Sequence, residues 1–122
     1  MKRTKEQKLL YYSRPRFYNF LLEYLEELEE RIVWLLAKHE HFRNCDTCLQ
    51  FHYWNVVDRW DYSSLPESLD KLTKAENIRR VRQKIQNDLG LFPPTDPDVI
   101  AKRKIKEEVI KEWAVMEKDI NG

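Results

Sequence analysis

Residues 73–90 read Thr-Lys-Ala-Glu-Asn-Ile-Arg-Arg-Val-Arg-Gln-Lys-Ile-Gln-Asn-Asp-Leu-Gly, and this stretch decides the fold class. At about 100° per residue, Ile78, Val81, Ile85 and Leu89 fall within about 80° of one another, the signature of a helix with one buried stripe. Thr73 and Glu76 have the spacing of a capping box, in which the Thr hydroxyl accepts from the Glu amide and the Glu side chain reaches back. Gly90 supplies a residue that takes a left-handed terminating conformation without a side-chain clash. A helix over residues 74–89 is expected.

Beyond Gly90, Leu91-Phe92-Pro93-Pro94 makes a rigid turn. Asp96 is placed to cap a last helix with Pro97 in its first position, running over 97–120. Its expected inner stripe is Val99, Ile105, Val109, Trp113, Met116 and Ile120. On the other side, Pro66 opens a short helix over 66–72, after a turn at 61–64. Asp46 is expected to cap a helix over 46–60 that buries Leu49, Tyr53, Val56, Val57 and Trp60. Phe42-Arg43-Asn44 marks a break. Before it, Pro15 introduces a long acidic helix over 16–41, in which Leu21, Leu25, Leu28, Ile32 and Leu35 follow a 4-3-4-3 spacing. Two heptads are too few for a coiled coil. The stripe is expected to pack within its own domain, with a homodimer seam as the alternative. Residues 1–15 read as a basic arm, with the first eight frayed.

No segment alternates with period two, and a chain of 122 residues holds only two glycines, too few for a sheet with many tight turns. The expected fold is therefore all-α: a single domain, 1–122. A trihelical helix-turn-helix-like module over 46–106 is flanked by long N- and C-terminal helices. The longest apolar run, residues 32–37, is far short of the ~20 residues that span a bilayer, and the basic, polar start does not resemble a signal peptide. A cytoplasmic protein without membrane association is expected, in the host-cell cytoplasm if phage-encoded.

The formal net charge of +1 conceals strong segregation. Residues 1–20 carry +5, residues 21–70 carry −7, residues 71–106 carry +6 and residues 107–122 carry −3. Of the fifteen aromatic residues, only Phe92 and Trp113 lie beyond residue 62. The basic block is the place to look for a site. On the 74–89 helix, Arg79, Arg80, Gln83, Lys84, Gln86 and Asn87 lie away from the apolar stripe, with Lys74 and Asn77 near the amino end and Arg82 at the stripe's flank. These side chains suit duplex DNA: Arg is bidentate to guanine, Gln and Asn to adenine, and Lys meets phosphate. The order of helices fits a helix-turn-helix whose last helix enters the major groove, with Arg80, Gln83 and Lys84 at base edges. Lys102, Arg103, Lys104 and Lys106 form a second cluster for backbone phosphates. The bland alternative is a solvated face, weighed against by only two acids, Glu76 and Asp88, on the helix.

The run Thr73-x-x-x-Asn77-Ile78-Arg79-Arg80-Val81-Arg82-Gln83-Lys84-Ile85-Gln86-Asn87, then Gly90, then Pro94-Thr95-Asp96-Pro97, resembles a motif in short tailed-bacteriophage and prophage proteins. Arg43-Asn44-Cys45-Asp46 followed by Tyr53-Trp54 is similar to elements that often precede it there. The likeness covers residues 43–108. It implies a viral or prophage setting and no catalytic residue; with the basic helix, a phage or prophage regulator is the expected role. It also implies that the basic helix and the Pro-Thr-Asp-Pro turn form one unit.

His39, His41, Cys45, Cys48 and His52 lie within fourteen residues and raise the question of zinc. The Cys-x-x-Cys pair has no second such pair or spaced His pair to complete it, and Cys48 and His52 offer two ligands on one helical face. No metal and no cofactor are expected. A disulfide between Cys45 and Cys48 is not expected either, since two cysteines are not a secreted framework. A Cys–His nucleophile would lack an orienting partner and an oxyanion hole, and no nucleotide-binding motif occurs, so an enzyme is not expected.

Overall fold

A computed structural model describes residues 3–60 and 72–121, with side chains to residue 115. The domain is all-α. Among the described residues, seven α-helices follow in order: α1 Lys5–Tyr12, α2 Pro15–Asn19, α3 Leu28–Lys38, α4 His41–Asn44, α5 Asp46–Val56, α6 Ala75–Gln83 and α7 Pro97–Asn121. The short helix expected over 66–72 lies outside the described residues. Among the described residues, no helix is long and apolar enough to cross a membrane.

The basic arm is not frayed. Thr4 caps α1 with a full capping box to Gln7, its hydroxyl accepting the Gln7 amide at 3.2 Å and its own amide donating to Gln7 Oε1 at 2.9 Å. The Thr4-x-x-Gln7 spacing is legible in the sequence, and the charge of the segment hid it. Tyr12 is buried, and its hydroxyl donates to Glu29 at 2.8 Å beside the Lys8–Glu29 ion pair at 3.0 Å. Burial first, and the hydrogen bond to Glu29 second, push the Tyr12 phenol pKa up, so it stays a donor.

The long helix over 16–41 is three pieces: α2, a 3₁₀ turn at Leu22–Tyr24, and α3. Phe20, Leu21 and Leu25 are extended between them. Phe17 packs edge-to-face against Tyr11, Tyr12 and Tyr18, and the Tyr18 hydroxyl donates to Tyr12 O. Carbonyls freed by the breaks are taken by donors on α3: Trp34 Nε1 reaches Phe20 O at 2.9 Å and Arg31 Nε reaches Leu25 O at 2.8 Å. Most of the leucine stripe packs within its own domain. Leu25, Ile32 and Leu35 belong to the core, while Leu21 is 57 % exposed.

α3 contributes Ile32, Val33, Leu35 and Leu36 to that core, facing Leu49 and Tyr53 of α5 and Ile78 and Ile85 beyond it. Arg31 donates to the Tyr53 hydroxyl at 3.2 Å, joining α3 to α5. Arg43 turns back to donate to Leu36 O and Ala37 O, closing the end of α3. The cap of α5 is Cys45, whose sulfur accepts the Cys48 amide at 3.2 Å. Asp46, expected as the cap, is instead the first helical residue.

The start of α6 departs from the expected capping box. Lys74 is the cap residue and makes no side-chain cap bond. The Thr73 amide and hydroxyl both donate to the Asp58 carboxylate, at 2.8 and 3.1 Å, and Trp54 Nε1 donates to Thr73 O at 2.7 Å. The end is as expected in one respect: Gly90 sits at φ +66, and the Leu91 amide closes onto Ile85 O at 3.0 Å. The last turn widens into a π turn, Lys84–Asp88.

Asp96 caps α7 as expected, accepting the Asp98 amide at 2.9 Å. Of the expected inner stripe of α7, Val99 is half-buried, whereas Ile105, Val109 and Trp113 are exposed, Trp113 by 69 %. Ile110 and Val115 are exposed beside them. Met116 and Ile120 of that stripe lie outside the described side chains.

Candidate nucleic-acid interface

α6 packs on α3 and α5 through Ile78 and Ile85, the centre of the expected stripe. Two polar residues share that buried face. Arg82, expected at the flank of the stripe, is 4 % exposed, and Gln86, expected on the far side, is 6 % exposed. Arg82 forms a bidentate pair with Asp46, Nε to Oδ1 at 2.8 Å and Nη2 to Oδ2 at 2.9 Å. Its Nη1 donates to Gln86 Oε1 at 3.2 Å. The Gln86 amide donates to Arg43 O and Phe92 O, at 3.3 and 2.8 Å.

Arg103 of α7 joins the same network. Its Nη1 donates to Arg43 O at 3.1 Å and to Gln86 Oε1 at 3.2 Å, and its Nη2 lies 3.8 Å from Asp46. Burial and the neighbouring Arg82 charge lower the Arg103 pKa, opposed by Asp46. One turn earlier, Asn44 Oδ1 accepts the Thr95 and Asp96 amides at 2.8 and 3.0 Å, fixing the Pro-Thr-Asp-Pro turn. Arg43, Asn44, Asp46, Arg82, Gln86, Thr95 and Arg103 therefore act as one staple between distant parts of the chain.

Charge on the outer side is also partly paired. Glu76 accepts from Arg79 at 2.6 and 3.1 Å and from Arg80 at 3.1 Å. Hydrogen bonding from Arg79 holds the Glu76 carboxyl below its ordinary pKa, so it stays ionised and offsets one of the two arginines.

A cleft of about 310 Å³ opens between α6 and α7. Arg79, Gln83 and Asn87 line one wall, Lys104 and Lys106 the other, with Arg82 and Arg103 contributing at the network between them. Of the lining groups, five are cationic, against the carboxylates of Asp46 and Glu107. Such a cleft attracts anions and offers amide donors beside the charges. The fold thus unites half of the candidate residues: Arg79, Gln83, Arg103, Lys104 and Lys106. Lys74, Asn77, Arg80, Lys84 and Lys102 do not line it. Lys74, Asn77, Arg80 and Lys84 are exposed along α6 and the π turn, and Lys102 is exposed on α7. Arg103, expected to grip phosphate freely, is instead held by backbone and Gln86. Asn87 joins the cleft wall although only its place on the helix, not its charge, marked it.

Comparison with known proteins adds no relative: no family model, no curated protein and no solved structure matches this chain.

Proposed function

We propose that the chain is a non-catalytic nucleic-acid-binding protein that seats backbone phosphate of duplex DNA in the cleft between α6 and α7. The observation that carries this reading is the excess positive charge of that cleft, assembled from two segments separated in sequence. Arg79, Lys104 and Lys106 supply charge at its walls, and Gln83 and Asn87 supply neutral donors. Lys74, Asn77, Arg80 and Lys84 lie at helical spacings of three and four residues, so they form one exposed edge that faces the duplex beside the seated phosphate. A prophage or phage regulator is the setting suggested by the sequence resemblance.

The test is fluorescence anisotropy of a labelled duplex at 50 and 200 mM salt. With about four phosphates neutralised, affinity should fall roughly 100-fold over that range. Lys104→Glu with Lys106→Glu, and Arg80→Glu with Lys84→Glu, should each weaken binding by about tenfold or more at fixed salt. Binding that ignores salt, or that survives both double replacements, overturns the reading.

A second reading has its own observation, the exposed apolar face of α7. We infer that this face takes a second copy of the chain, in antiparallel register. Residues 97–106 carry four cations against Asp98, whereas residues 107–121 carry five carboxylates against two lysines. Positive charge at the start of a helix and negative charge at its end oppose the helix dipole. Antiparallel pairing sets each basic half against the partner's acidic half and relieves both. Covering both Trp113 rings is worth about 5–8 kcal/mol by area, the same order as the ~4–15 kcal/mol cost of association. A weak dimer, detected in sedimentation only toward about 100 μM and abolished by Trp113→Glu, is the expected result. A strict monomer at about 100 μM would exclude it.

A further inference from the structure

We propose that His41, Cys45 and Cys48 form a three-donor site for zinc once the two cysteines are reduced. The ligand atoms of these side chains all lie within 4.8 Å of one another, the one such trio among the described residues. They come from two short elements. His41 opens α4, Cys45 is the residue between α4 and α5, and Cys48 lies in the first turn of α5. His41 and Cys45 are four residues apart across α4, and Cys45 and Cys48 three apart at the start of α5, spacings that bring the three side chains together. His52, the partner that spacing suggests for Cys48, is turned away: its ring packs on Phe42 and His39 at 4.8 and 5.6 Å between centroids.

The donor chemistry suits a borderline-soft cation. Two thiolates and an imidazole are the ligands zinc prefers over hard cations, and two thiolate charges balance the dication. The Cys45 sulfur accepts the Cys48 amide at 3.2 Å at the amino end of the eleven-residue α5, a donor that the sulfur freed by reduction would keep. Both cysteines are half-buried and His41 is exposed, so the cation can enter from solvent, and water completes the fourth position.

Cys45 and Cys48 are joined as a disulfide in the structure. Zinc binding therefore alternates with this bond. Two equivalents of a monothiol reductant of the glutathione class convert the disulfide to two thiols and are themselves oxidised to one disulfide. Zinc then displaces the two thiol protons, and His41 donates a neutral nitrogen lone pair. Hydrogen peroxide reverses the sequence: the two thiolates lose two electrons to re-form the disulfide, peroxide takes these with two protons to give two waters, and zinc is released.

The test uses the full chain, reduced and kept free of oxygen. Cobalt(II) titration should give tetrahedral visible bands with a thiolate charge-transfer band, and zinc added afterwards should displace them at one equivalent. Cys45→Ser and Cys48→Ser should each abolish the charge-transfer signature or halve it, His41→Asn should weaken binding by about tenfold or more, and His52→Asn should leave it unchanged. In the unsubstituted protein, zinc should protect both thiols from iodoacetamide, and peroxide should release the metal. Absence of the charge-transfer band, absence of protection, retention of zinc after peroxide, or dependence on His52 rather than His41 would each overturn the site.

Discussion

Asp46→Asn is expected to destabilise the domain by about 3 kcal/mol or more, with a fall in melting temperature of roughly 10 °C. The reason lies with its partner. Arg82 is 4 % exposed and always charged, and both its Nε and its Nη2 donate to Asp46. Asparagine can accept only one of those bonds, and it carries no charge. The guanidinium would then be buried without a counter-ion, the expensive case, whereas Asp46 itself keeps some contact with water. Arg103 lies on the same carboxylate at 3.8 Å, so two cations would lose their anion together. Thermal and urea unfolding measure the effect. Arg82→Met combined with Asp46→Leu should recover much of the loss, because an apolar pair leaves no buried charge. Gln86 Oε1 would keep its donor from Arg103 in that variant. A single-substitution cost below about 1 kcal/mol would mean the pair is surface decoration.

Leu35→Ala should cost about 2–5 kcal/mol, while Leu21→Ala should stay within about 0.5 kcal/mol. The two leucines are fourteen residues apart, nearly four helical turns, so in one unbroken helix they would share a buried stripe. The break separates their fates. Leu35 is fully buried among Ile32, Leu36 and Leu49, whereas Leu21 stands extended and 57 % exposed between α2 and the 3₁₀ turn. Removing three heavy atoms at Leu35 forfeits their transfer energy and leaves a cavity in a close-packed core. At Leu21 neither term applies. Equal costs at the two positions, read from urea midpoints, would restore the single long helix.

These two cases show where local pattern was a sound guide and where it was not. The period of Ile78, Val81, Ile85 and Leu89 identified the inward face of α6, and Ile78 and Ile85 are buried there. Gly90 at φ +66 and Asp96 as the cap of α7 were equally legible, since each acts within a few residues. Thr4-x-x-Gln7 was legible too and was masked by the basic composition around it. Arg82 and Gln86 were not legible as interior residues. Their inward placement depends on Asp46 and on the Arg43 carbonyl, 36 and 43 positions away. The break over residues 20–27 depends on Arg31 and Trp34 collecting carbonyls that a continuous helix would have bonded itself.

The candidate site divides in the same way. Its basic block was visible as +6 over residues 71–106. Which of those charges remain available was a matter of contacts. Glu76 holds Arg79 and Arg80, Asp46 and Gln86 hold Arg82 and Arg103, and the cleft gathers Arg79, Lys104 and Lys106. The sequence by itself determined the all-α class, the inner stripe of α6 and the turns at Gly90 and Asp96, because these follow from periodicity and short-range bonding. Only the tertiary structure decided which polar residues lie inside, where the first long helix breaks and which face of α7 is left uncovered. Burial of a charge is settled by the partner that meets it, and that partner is supplied by a distant part of the chain.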